Sequence, residues 1–167
     1  MVQTSRGAHT LRRHEKLPAR LINEFSNCLI NQLHEGRATM GAPKYNDFRD
    51  LEVWQRCREI RKKIWTLTKK FPIEEKYRLS DQLIRSSRSA TNCIAEGYGR
   101  YHYQENIQFC RQSRGSLHEL IDHFLVAEEC EYLNDRECDE SIDEVKAAIA
   151  VLNGYIKYLK KQKDSTS

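Results

Sequence analysis

His118, Glu119, Asp122 and His123 fall within six residues, and so many proton- and metal-active groups in one stretch are where chemistry would be sought first. Di-metal helical bundles hold their ions with Glu-x-x-His on two helices and further glutamates from the others. This chain lacks that spacing and offers no matching set of inward carboxylates. The four therefore read as a solvated helix face, with Glu119 at a subunit boundary. Gly97-Tyr98-Gly99 invites a phosphate loop, but no strand precedes it and no Lys-Ser/Thr follows at the Walker spacing. These glycines are expected to end a helix and turn the chain. Serines and cysteines are plentiful without a Gly-x-Ser-x-Gly elbow, and neither His102 nor His118 has the paired acid or base that RNA cleavage would need. Six cysteines, at 28, 57, 93, 110, 130 and 138, include no Cys-x-x-Cys pair, which argues against structural zinc. Cys130 and Cys138 flank a turn closely enough to bridge under oxidation, but reduced, mostly buried thiols in a cytoplasmic protein are the better reading. No catalytic residue, metal ligand or cofactor is expected.

The arginines are more informative. Arg78, Arg85 and Arg88 are separated by seven and three, so on a helix they share one face. Trp54, Arg58, Arg61 and Trp65, at steps of four, three and four, form another. Arginines hold phosphates, and an Arg interleaved with Trp stacks either on a nucleobase or on its own Trp. Arg78, Arg85, Arg88, Arg58 and Arg61 are accordingly the expected contacts to RNA or DNA. Trp54 and Trp65 also add to helix one a second apolar stripe that a lone bundle would expose. With Glu96 and Glu119 they are the expected oligomer interface. Glu96, in the last turn of its helix, needs a cation nearby to offset the helix dipole, either Arg100 or a basic residue of helix one.

Four helices must position these side chains. Val53, Cys57, Ile60, Ile64, Leu67 and Phe71 recur at steps of four and three up to Pro72, which predicts the first. Leu79, Leu83, Ala90 and Ile94 mark a second, running to Gly97 and Gly99. Ser86, Ser89, Ala90, Cys93 and Gly97 lie on one side of it, small enough to let another helix approach closely. A third, from about Gln104, carries Ile107, Cys110, Leu117, Ile121, Phe124 and Leu125 and breaks near Asn134. Ile142, Val145, Ile149, Leu152, Ile156 and Leu159 alternate strictly by three and four in the fourth. Four helices of about 25 residues, each about 37 Å long, with short connections make an all-α, antiparallel up-down-up-down four-helix bundle.

With 167 residues, the chain has room for one core and a short appendage. Seven glycines and three prolines are too few for an all-β domain, and no apolar run approaches the length of a membrane span. The net charge of +4 conceals a polarity: residues 1–45 carry +4, 46–114 carry +6 and 115–167 carry −6. A basic first half suits a polyanion, and the two halves could equally satisfy each other between subunits. The organisation expected is an N-terminal extension over 1–45, a bundle over 46–162 and a disordered tail over 163–167. The extension has a weak amphipathic stripe over 17–35 and a faint likeness to a transit peptide. A start at Met40, just ahead of the strong pattern, is an equal reading.

Four ordered motifs carry a resemblance. They are Phe48-Arg49-Asp50-Leu51-Glu52-Val53-Trp54-Gln55; Leu67-Thr68 leading to Phe71-Pro72; Ile94-Ala95-Glu96-Gly97 with Gly99-Arg100; and Gly115-Ser116-Leu117 with Glu119-Leu120. Over about residues 46–160 the chain resembles the proteins encoded in intervening sequences of bacterial 23S ribosomal RNA genes. Those are similar in fold to the accessory variability determinant of diversity-generating retroelements. The resemblance implies a homopentameric barrel of antiparallel bundles, and relatives that bind nucleic acid and a reverse transcriptase; a protein client of that kind is a possible partner here, a membrane is not. The chain departs from the pattern where Cys93 stands in place of the usual Asn, with Asn92 displaced by one, which turns that side chain by about 100° on a helix. Ser86 and Ser87 replace paired alanines, and Arg88 replaces a small or aliphatic residue. The expected function is that of a non-enzymatic, homo-oligomeric adapter binding structured nucleic acid; the alternative is a structural or protein-adapter ring without nucleic acid.

Overall fold

The computed structural model describes residues 47–166, and the extension expected over 1–45 lies outside them. Four helices, α1 (Glu52–Leu67), α2 (Leu79–Tyr98), α3 (Tyr103–Glu129) and α4 (Asp135–Thr166), are joined in chain order, with no strand among the described residues. Each packs on its two neighbours in the order α1, α2, α3, α4 and back to α1, most extensively between α2 and α3. Contacts run in opposite senses along neighbours: Ser113 Oγ donates to the Ala90 carbonyl at 2.8 Å, while Ser86 Oγ donates to Glu119 at 3.1 Å. This is the expected antiparallel bundle.

The lengths are unequal. At 1.5 Å per residue, α1 spans about 24 Å and α4 about 48 Å. The first helix stops at Leu67, short of Pro72, and the chain crosses the end of the bundle in two three-ten segments, Thr68–Lys70 and Ile73–Tyr77. Phe71 between them is buried and its ring lies 5.3 Å from that of Tyr132. Tyr132 donates to Glu75, whose other carboxylate oxygen accepts from the backbone N–H of Leu79, so one side chain ties the start of α2 to the α3–α4 turn. The last helix continues to Thr166, so residues 163–166, read as a tail, are helical.

The core repeats the predicted seams with one face corrected. Val53, Cys57, Ile60 and Ile64 of α1 are buried, as are Leu79, Leu83, Ala90 and Ile94 of α2. In α3 the inward face is Cys110, Ser113, Leu117, Leu120, Phe124 and Ala127. Leu125, expected inside, is exposed and Ile121 only half-buried, because the inward stripe passes through Leu120. Ser113 is what hid that stripe: a polar residue breaks the hydrophobic period, yet it is wholly buried because its hydroxyl has a carbonyl to bond.

Small residues bring α2 and α3 together, as their spacing predicted. A Cβ added to Gly97 would stand 2.8 Å from Asn106 Oδ1 and 2.9 Å from Phe109 Cβ. Gly97 is thus a packing residue inside the helix. It does not turn the chain, and no described glycine has a positive φ. Gly99 is the C-cap, in ordinary right-handed geometry. Ser116 donates to Ser89 at 2.8 Å across the same seam, and half-buried Cys93 faces Gln112 while Asn92 is exposed.

Two local devices set the α3–α4 turn. Glu131, at φ 60°, occupies the left-handed position after α3, and the N–H groups of Glu131 and Tyr132 return to the carbonyls of Glu128 and Ala127. Asn134 then caps α4. Its Oδ1 accepts from the N–H of Glu137, and the Glu137 carboxylate accepts from the N–H of Asn134, a reciprocal capping box.

Candidate nucleic-acid interface

The outer stripe of α2 follows from its inner one. Leu79, Leu83, Ser87, Ala90 and Ile94 face inward, which leaves Gln82, Arg85, Arg88 and Asn92 outward. Arg85 is 78% exposed and held only loosely by Asp81, at 3.8 Å. Arg88 is exposed and has no ion pair among the described residues. Arg78 sits one step outside the helix as its N-cap, at φ −120° and ψ −114°, exposed. The helical rule that set it seven residues before Arg85 applies only from Leu79 onward.

The α1 arginines divide. Arg61 is half-buried against α2, donating through Nη1 to Thr91 Oγ1 at 2.8 Å, and the Thr91 hydroxyl donates in turn to the Arg88 carbonyl at 2.9 Å. Arg61 thereby sits beside the turn of α2 that carries Arg88. Arg58 is exposed, its guanidinium 6.0 Å from the Trp54 ring and 3.6 Å from the Glu59 carboxylate, so it is engaged by its own Trp and a neighbouring acid. Arg56, Lys62 and Lys63 are committed to ion pairs with Glu52, Glu59 and Glu144 respectively. The Lys62 pair holds the Glu59 carboxyl below its ordinary range, chiefly through their hydrogen bond. Arg85, Arg88 and the cap residue Arg78 are thus less committed within the chain than Arg56, Lys62 and Lys63, and they lie beside the half-engaged Arg61.

The residues expected at an oligomer interface are dispersed. Trp54 is half-buried, edge-on to Phe48 at 5.2 Å. Trp65 is 52% exposed beneath the Lys69 ammonium. Glu96 pairs with Arg100 at 2.6 Å, the first of the two partners expected, and Glu119 accepts from Ser86 across the α2–α3 seam. His118, Glu119 and Asp122 are exposed and His123 half-buried on α3. No group of three or more His, Cys, Asp or Glu able to hold a metal occurs among the described residues. Cys57, Cys93, Cys110, Cys130 and Cys138 are free thiols.

An all-α, up-down-up-down bundle is thus the class that the helices define. Residues 49–154 match the family model of the 23S rRNA-intervening sequence protein, and the chain belongs to that family. Among solved structures, a protein with unknown function from the S23 ribosomal protein family of Bacteroides thetaiotaomicron VPI-5482 superposes with a TM-score of 0.59 at 20% identity. The match covers 63% of this chain and 98% of that one. At such identity the likeness concerns the fold. No curated protein matches the chain. No helix among the described residues is long and apolar enough to cross a membrane.

Proposed function

We propose that this protein is a non-enzymatic, homo-oligomeric helical-bundle module of the cytoplasm that binds structured nucleic acid through phosphate contacts, as an adapter. The observation that carries this is the outer stripe of α2. Arg85 and Arg88 are exposed and weakly committed within the chain, whereas the neighbouring cations of α1 are largely neutralised by acids of their own. Exposed guanidinium groups on a rigid helix suit phosphate oxygens, which they meet with two donors at fixed spacing. Arg88 adds charge to that stripe. Binding of a structured RNA hairpin should fall linearly in log affinity against log salt between about 50 and 200 mM. Absence of binding at the low-salt end would overturn the proposal.

Oligomerisation belongs to the same reading. Trp65 remains half-exposed, and residues 135–144 of α4 hold six acids against one Arg, so a second copy offers charge complementary to α2. A homopentamer is the state that the family resemblance implies. Those same observations favour the alternative, a protein-adapter ring in which the α2 arginines pair with a neighbour's carboxylates. Light scattering at micromolar concentration should give a multiple of 19.7 kDa; a monomer mass would remove both readings of the assembly.

A further inference from the structure

The end of the bundle where α2 turns into α3 exposes several aromatic rings beside a run of lysines. Tyr101 is 94% exposed, Tyr103 39% and Tyr158 48%. The fourth helix ends beside them: Asn106 donates to Tyr155 at 3.3 Å and Lys163 to Gln104 at 3.0 Å, and the rings of Tyr155 and Tyr158 lie parallel at 6.3 Å. Residues 155–164 carry Lys157, Lys160, Lys161 and Lys163 against Asp164 alone. Lysines in the last turns of a helix are favoured by its dipole. The dipole gives no reason for exposed phenol rings beside them, and burial offers none.

We propose that this end is a stacking platform for unpaired nucleotides, with Tyr101 and Tyr103 taking base faces and Lys157, Lys160 and Lys161 the phosphates of the same strand. Aromatic faces accept any base, and each stack contributes about 1–3 kcal/mol. Charge complementarity selects a polyanion, and the rings select one whose bases are open, which a duplex does not offer. This inference rests on the protein being a nucleic-acid binder but uses a different surface from the α2 arginines. The protein would then grip a folded RNA at a junction, its paired arm on α2 and its single-stranded arm here.

The test uses the full chain and two labelled probes, an oligoadenylate of about 12 nucleotides and an RNA duplex of similar length. Tyr101→Ala with Tyr103→Ala should weaken the single strand about tenfold or more and leave the duplex unchanged. Both positions as Phe should restore single-strand binding, because the ring face and not the hydroxyl is used. Lys160→Gln with Lys161→Gln should lower the single-strand salt slope by about 1.4. Single-strand affinity unmoved by the alanine pair would overturn the platform while leaving the α2 reading intact. Loss of duplex binding alone in Arg85→Gln with Arg88→Gln would support both surfaces as separate sites. Failure of the wild type to bind either probe at about 50 mM salt would overturn both.

Discussion

Single residues in this bundle depart from what their positions ordinarily favour, and each departure is measurable. Glu131 holds a left-handed backbone that costs an L-residue roughly 1–2 kcal/mol. Glu131→Gly should raise stability by about 0.5–1 kcal/mol in denaturant melts, the gain reduced by glycine's greater freedom when unfolded. Gly97 is the opposite case. Gly97→Ala should cost roughly 1–3 kcal/mol, since the new methyl meets Asn106 and Phe109 at under 3 Å. Gly115→Ala and Gly154→Ala meet nothing within 4 Å and should each gain about 0.5–1 kcal/mol. The thiols give a pH dependence. Burial raises Cys57 and Cys110 from an ordinary 9.0 to about 12 and Cys138 to about 11, and raises Tyr155 to about 12. Unfolded thiols lose their protons near pH 9 while the folded ones keep theirs, so above pH 9 the native state binds more protons and stability falls as pH rises. Urea midpoints should be flat with respect to these groups below about pH 8 and decline from about pH 9 upward; a rising midpoint there would contradict the burial of these groups.

At the scale of elements, most of the bundle is legible in the spacing of apolar residues, and the exceptions have physical causes. The small-residue side of α2 was readable because close helix approach demands small side chains, and Ser89, Ala90 and Gly97 do meet α3. The apolar period of α3 points to Leu125 and away from the true inward face because buried Ser113 and Ser116 look polar in sequence, and only their hydrogen bonds across the seam make them core residues. The early end of α1 was hidden as well. Phe71 keeps the hydrophobic period but reaches the core from a three-ten connection. The start of α4 was there to be read: Asn134-Asp135-Arg136-Glu137 has the spacing of a capping box. Asn134→Ala should cost about 1 kcal/mol, seen as a lowered thermal midpoint. Of the arginine face, Arg85 and Arg88 fall on one exposed stripe, as spacing implied. The commitment of Arg61 to Thr91 depends on a neighbouring helix and no periodicity could show it.

Across the described helices, α2 presents two exposed arginines, the last turns of α4 present lysines, and acids gather on the first half of α4. A polyanion and a neighbouring subunit would both be drawn to the first of these surfaces, and they differ in what they do when it is neutralised. The central claim is that α2 contacts phosphates. Its most direct test is Arg85→Gln with Arg88→Gln, for which binding of an RNA hairpin across a salt series and the mass of the assembly are measured on the same sample. Phosphate contacts at α2 require an unchanged mass, weaker binding to all sequences alike, and a log–log salt slope shallower by about 1.8, the loss of two phosphate contacts. An unchanged mass with wild-type affinity and slope would contradict it, and a changed mass would assign these arginines to the contact between subunits.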